Sequence, residues 1–196
     1  MTRRIVLMLT LLLVVAAALG LYAWYLHRKV TGDEERLRQE QQQVASPASG
    51  PQATVTLYLA SDANATLSKK AISIPLPAER SEQARAILRA LFGTYLHSGS
   101  PHPIGAGADV RDVYLLSDGS AVVDTNEAFA EAHPSGVLAE ELTITSIVAT
   151  LNANDPKITR VKIIVNGAER ETLAGHADLR RFYGASNVAQ LAKELQ

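Results

Sequence analysis

Apolar and polar positions change their rhythm along this chain, and each rhythm predicts an element. Val55, Leu57 and Leu59 alternate with Thr56, Tyr58 and Ala60, the period of two of a half-buried strand. A second strand is predicted around Lys70 to Leu76, bounded by Pro75 and Pro77. Ser81 then suits a helix N-cap, and Ala84, Ile87, Leu88, Leu91, Phe92 and Tyr95 follow at the spacing of a single apolar helix stripe. Gly93 weakens the last turn of that helix.

A Gly/Pro/Ser-rich loop leads to a predicted hairpin, Val113 to Leu116 and Ala121 to Asp124, around Asp118-Gly119, a dipeptide favoured in tight primed turns. A second helix is expected after Pro134-Ser135-Gly136, with Glu140 and Glu141 at its positive end and Val137, Ile144, Val148 and Leu151 at helical spacing. The β-branched run Ile144–Val148 would permit a strand, but the segment is too long and is entered by LAEEL. Ile158 to Val165 reads as a strand, turned by Asn166-Gly167 into Ala168–Leu173. The order β-β-α-β-β-α-β-β implies an α+β fold with two helices packed on one face of a mixed β-sheet.

Ahead of this domain lies an uncharged span, Ile5 to Leu26. As a helix it measures about 30 Å, the thickness of a bilayer's hydrocarbon core. Tyr22, Trp24 and Tyr25 crowd its end, where interfacial aromatics belong. A cleaved signal peptide would use Ala16, Ala17 and Ala18, but more apolar residues follow them than a signal core carries. A buried core helix would show some polar face. The span is therefore read as one N-terminal transmembrane helix. The predicted organisation is a cytoplasmic stub (1–4), a signal-anchor (5–26), a polar linker (27–53), the folded domain (54–183) and a tail (184–196). Arg3 and Arg4 ahead of the span favour an inside N-terminus and an extracytoplasmic domain at the cytoplasmic membrane.

Composition narrows the chemistry. The formal net charge is −1, without the basic stripe of a nucleic-acid binder. Cysteine is absent, which excludes disulfides, thiol catalysis, cysteine-ligated zinc and N-terminal lipidation at a cysteine.

From Val55 to Leu179 the ordered features resemble a GerMN domain, the module of spore-germination proteins. They are VTLYLA, the proline-bounded IPLP before a helix, the hairpin DVYLLSDGSAVVD, ELTITSIVATL, ITRVKIIVNG and the closing TLAGHADL. The loop Ile104-Gly105-Ala106-Gly107 departs from the family pattern in lacking a proline after the isoleucine. The resemblance implies a fold similar to the ring-building motifs of sporulation secretion complexes. It also implies a membrane-attached, extracytoplasmic, non-catalytic module whose partner is an envelope protein, the cell wall or further copies of itself. The residues carrying the motif are Asp118, Gly119, Asn166, Gly167, Gly175, His176 and Asp178, expected to be structural.

No residue set reads as a catalytic, cofactor or metal site. His97 and His102 lie in the loop, with Asp109 and His133 beyond, and are expected to be solvated; metal ligation needs three or four convergent donors. His176 is expected to organise a chain reversal, with Gly175 permitting the turn and Asp178 accepting from the imidazole or capping a short helix through Leu179–Tyr183. Asp124 and Glu127 could form a carboxylate pair, but acidic residues at strand ends are usually turn formers. No serine sits in G-x-S-x-G. Gly105-Ala106-Gly107 precedes a strand and lacks the helix terminus of a phosphate site. Asn64-Ala65-Thr66 matches a glycosylation acceptor, a tripeptide common by chance. The competing function is a small membrane-tethered hydrolase acting on cell-wall material.

Overall fold

The computed structural model describes residues 50–97 and 99–187. The span Ile5–Leu26 and residues 27–49 of the linker lie outside them, while Gln52 and Ala53, expected in the linker, already belong to the first strand. Among the described residues, no helix is long and apolar enough to cross a membrane.

Strands β1 (Gln52–Ser61) and β2 (Thr66–Pro75) form an antiparallel hairpin in register from Gln52↔Pro75 to Ser61↔Thr66. Helix α1 (Arg80–Tyr95) follows. Strands β3 (Val110–Leu115) and β4 (Ser120–Thr125) form the second hairpin. A short helix α2 (Glu127–Glu131) and the long α3 (Val137–Asn154) then carry the chain to β5 (Arg160–Val165), which lies parallel to β4. A two-residue strand β6 (Tyr183–Gly184) completes the sheet in the order β3-β4-β5-β6.

The fold is α+β as the sequence suggests, but the strands form two sheets rather than one. The reason lies on the inner edge of β1. The N–H groups of Thr56, Tyr58 and Ala60 donate to Asn154 Oδ1 (2.9 Å), Thr150 Oγ1 (3.0 Å) and Tyr95 Oη (3.0 Å). In return, Asn154 Nδ2 donates to the Thr56 carbonyl (2.7 Å) and the Tyr95 hydroxyl to that of Tyr58 (3.3 Å). Side chains of α1 and α3 thus satisfy the backbone groups that a neighbouring strand would otherwise pair.

Three further differences have local causes. Residues 168–173 form no strand. After the Asn166-Gly167 turn a lone bridge joins Val165 to Ala168, the chain then leaves the sheet, and β6 takes the place beside β5. Ser81 is the second residue of α1 rather than its cap; Glu79 caps the helix, accepting from the N–H groups of Ser81 and Glu82. Residues 179–183 hold a turn leading into β6, not a short helix.

The core lies between the helices and both sheets. It takes in Leu57 from β1, Leu88, Leu91 and Phe92 from α1, Val113, Val123 and Ile163 from the larger sheet, and Ile147 from α3, each 1% exposed or less. The rings of Phe92 and Phe129 stack at 5.1 Å.

Candidate functional site

Two polar clusters on α3 gather the histidines and acidic residues considered above. The first centres on Glu140, whose side chain is fully buried. One carboxylate oxygen accepts the N–H groups of Ala174 (3.1 Å), His176 (3.0 Å) and Ala177 (2.8 Å). The other accepts from the N–H of Gly136 (3.2 Å) and from His176 Nδ1 (2.8 Å). Burial pushes this carboxyl up, but hydrogen bonds from Ala177, the His176 ring, Ala174 and the His176 backbone outweigh it and hold the pKa down to about 2.

His176 lies at the chain reversal, with a different partner from the one its sequence neighbours suggest. The imidazole binds Glu140 and not Asp178. Asp178 instead accepts from the backbone N–H and the guanidinium of Arg180 (3.0 Å each), pinning the turn into β6. Gly175 permits the reversal with φ of 117°. The Glu140–His176 pair has the relation of an orienting carboxylate to a general base. The nearby Ser135 hydroxyl, however, is committed to the Ala174 carbonyl at 2.9 Å.

His97 is exposed, as expected of a loop histidine, but the second cluster overturns that expectation for His102 and His133. His102 is fully buried and His133 nearly so. His102 Nδ1 lies 2.5 Å from Asp62 Oδ1, and its Nε2 lies 2.7 Å from Thr143 Oγ1. His133 Nε2 reaches the same hydroxyl at 2.8 Å, while its Nδ1 lies 2.8 Å from the Pro134 carbonyl. Burial holds the His133 ring below the ordinary imidazole range. The Tyr95 ring meets His102 edge-on at 4.7 Å, and burial pushes its phenol up to about 12. Asp62, His102 and Thr143 thus have the connectivity of a carboxylate–histidine–hydroxyl triad. Thr143 is fully buried within α3, so no substrate reaches its hydroxyl.

The remaining predicted residues hold turns. Asn166 and Gly167 have φ of 51° and 74°, the left-handed pair of a type I′ turn. At Asp118-Gly119 only Gly119 is left-handed, with φ of 81°, so this is not the primed turn expected. Gly119 N–H closes back on the Leu116 carbonyl (3.2 Å), and a Cβ at Gly119 would stand 2.8 Å from the Lys157 carbonyl. Asp124 and Glu127 do not form a carboxylate pair. Asp124 accepts the Gly167 N–H (2.8 Å) and pairs with Arg111 (3.3 Å), while Glu127 accepts from Asn166 Nδ2 at 3.5 Å. Asp109 pairs with Arg89 at 2.7 Å rather than joining the histidines. Gly105 is required because a Cβ would meet Ala132 at 2.3 Å. Among the described residues, no group of three or more His, Cys, Asp or Glu could hold a metal ion.

Sequence reasoning did not assign these roles to Asp62, Thr143, Asn154 or Glu140. The available signal was the row Thr143, Thr145, Ser146 and Thr150 inside an otherwise apolar helix, since buried hydroxyls need named partners.

A family model described as Germane, sporulation and spore germination, matches residues 56–171. Among solved structures, the chain is similar to a protein of Clostridium perfringens titled as a candidate lipoprotein. The two are 17% identical, with 75% of this chain and 96% of that one covered, at a TM-score of 0.49. It is also similar to the tandem GerMN domains of the sporulation protein GerM from Bacillus subtilis. There the identity is 21%, with 66% of this chain but 44% of that one covered, at a TM-score of 0.48. The first GerMN domain of the same protein is 23% identical, with 65% and 92% covered and a TM-score of 0.45. No curated protein sequence matches.

Proposed function

The chain belongs to the Germane family of sporulation and spore germination, and on that premise we propose that it is a non-catalytic binding or assembly module of the cell envelope, held at the membrane by Ile5–Leu26 with its domain outside the cytoplasm. The observation that carries this reading is the family match across most of the folded domain. The described polar side chains support it. Glu140, Asp124, Asp109 and Asp178 are each engaged in holding backbone or pairing with an arginine or histidine, which is the work of a scaffold.

The larger sheet supplies a surface for a partner. The register sets Tyr114 beside Val122 and Val122 beside Lys162 on one face. Tyr114 and Leu116 are each 49% exposed. Phe182 lies 5.0 Å from the Arg160 guanidinium and 5.8 Å from the Lys162 ammonium, so its exposed ring is flanked by cations. The partner in this reading is an envelope protein, the cell wall or a second copy.

Because the chain has no cysteine, one introduced thiol reports its location. Ser117→Cys sits on the exposed β3–β4 turn. A membrane-impermeant maleimide should label it in intact cells whose outer layers admit the reagent. Labelling only after lysis would place the domain inside the cytoplasm and sink the proposal.

A further inference from the structure

Thr145 is the odd hydroxyl of α3. Thr143 donates to the Ala139 carbonyl (3.0 Å) and Ser146 to that of Thr143 (2.9 Å), while Thr150 accepts the Tyr58 N–H (3.0 Å). Thr145 is only 2% exposed, yet its hydroxyl makes no hydrogen bond among the described residues. A buried polar group left unpaired is costly, and native interiors hold few of them. Thr145 borders a cavity of about 140 Å³ between α3 and the chain around β6. Ile144, Phe182 and Tyr183 give this cavity apolar walls, and Glu141 and Arg181 stand beside them.

The two charges are uncommitted as well. Glu140, one residue before Glu141, is given over to the 174–177 loop. Arg180, one residue before Arg181, pairs with Asp178 and Glu171. Glu141 and Arg181 have no ion-pair partner among the described residues, and so do not neutralise each other. The Arg181 guanidinium lies 4.6 Å from the centroid of the Tyr183 ring, a contact that holds it beside the cavity. Each residue is exposed, and alone would be an ordinary solvated charge. Together they bring one anion and one cation to an apolar hollow that also holds a buried, unpaired hydroxyl.

We propose that this cavity binds a small zwitterion, an α-amino acid with a short apolar side chain. Glu141 takes the ammonium group and Arg181 the carboxylate. The Thr145 hydroxyl donates to the same carboxylate and so gains the partner it lacks. The side chain of the ligand packs against Ile144, Phe182 and Tyr183.

Charge and size select this class. A simple anion entering the cavity meets Glu141, and a simple amine meets Arg181, so an ion of one sign is repelled by one of the two. A zwitterion satisfies both. A cavity of about 150 Å³ accepts benzene, which has as many heavy atoms as alanine. The volume here is about 140 Å³, which suits alanine and leaves no room to enclose a large side chain.

The test uses the full-length chain in detergent micelles, followed by amide NMR as racemic alanine is added. The signals of Thr145 and Tyr183 should shift saturably. N-acetylalanine, which lacks the ammonium group, and alaninamide, which lacks the carboxylate, should each bind at least about tenfold more weakly. Glu141→Gln should weaken alanine by a similar factor and bind alanine and N-acetylalanine alike. Arg181→Gln should do the same for alanine and alaninamide. Thr145→Val should melt no lower than the wild type, because the hydroxyl it removes has no partner in the free protein. No saturable shift with alanine, equal affinity for the three compounds, or a lower melting temperature for Thr145→Val would overturn the proposal. The wild-type titration decides the matter even if a variant fails to fold, and none of these results depends on which side of the membrane the domain occupies.

Discussion

Helices α1 and α3 both cross the core, and they hold it by different means. α1 buries one stripe, Ala84, Ile87, Leu88, Leu91, Phe92 and Tyr95, and leaves its other side to arginines and water. α3 is buried on nearly every side between Glu140 and Leu151, and among those residues are Glu140, Thr143, Thr145, Ser146 and Thr150. Apolar packing is non-directional, so the stripe of α1 holds whatever apolar surface is set against it. The polar groups of α3 need a partner at hydrogen-bond distance in a fixed direction. Glu140 binds the 174–177 loop, Thr143 the two histidines, and Thr150 and Asn154 the edge of β1. α1 holds mainly through its apolar stripe; α3 buries as many apolar side chains and adds the polar groups that decide which loop and which strand lie against it.

The largest expected effect tests the apolar side of this contrast. Leu88 is fully buried, and Leu88→Ala should destabilise the domain by about 2–5 kcal/mol in urea unfolding. A loss under about 1 kcal/mol would mean that the stripe of α1 is not a principal packing surface.

A polar break should follow closely. Glu140→Gln keeps the shape but offers an amide where three backbone N–H groups converge, and should cost about 2–3 kcal/mol. The same carboxylate predicts an acid limb. Its folded pKa is lowered from 4.5 to about 2, so its contribution is present above the ordinary value and is lost as pH falls through that window. A melting profile from pH 6 to 2 should drop in the wild type and drop less in Glu140→Gln. Equal drops would assign the acid limb to other carboxylates.

The smallest effect separates the carboxylate from its imidazole. The His176 side chain is 42% exposed, and Glu140 keeps its backbone partners without it. His176→Ala should therefore cost only about 1 kcal/mol by urea unfolding. A loss as large as that of Glu140→Gln would make the ring, rather than the backbone of its loop, the main thing Glu140 holds.

The same contrast explains what could be read early. The stripe of α1 and the alternation of β1 are local periodicities, fixed by the geometry of a helix and a strand, and both elements formed where the pattern put them. Asn166-Gly167 is equally local: two left-handed residues in sequence suffice for its turn. The partner of His176 was not local. Asp178 is two residues away and chemically suitable, yet the ring binds Glu140, thirty-six residues earlier. Nor does composition tell a buried histidine from a solvated one. His102 sits in a Gly/Pro/Ser-rich loop, and its burial follows from how that loop packs on α3.

By itself the sequence determined the α+β class, the position of most elements, the uncharged N-terminal span and the family. Each depends on spacing or order along the chain, and spacing survives without coordinates. The tertiary structure alone decided that the strands split into two sheets, that α3 carries the polar fastenings and that Asp62, His102, Thr143 and His133 meet. Those outcomes depend on directed bonds between residues distant in sequence, and such a bond leaves no period to read.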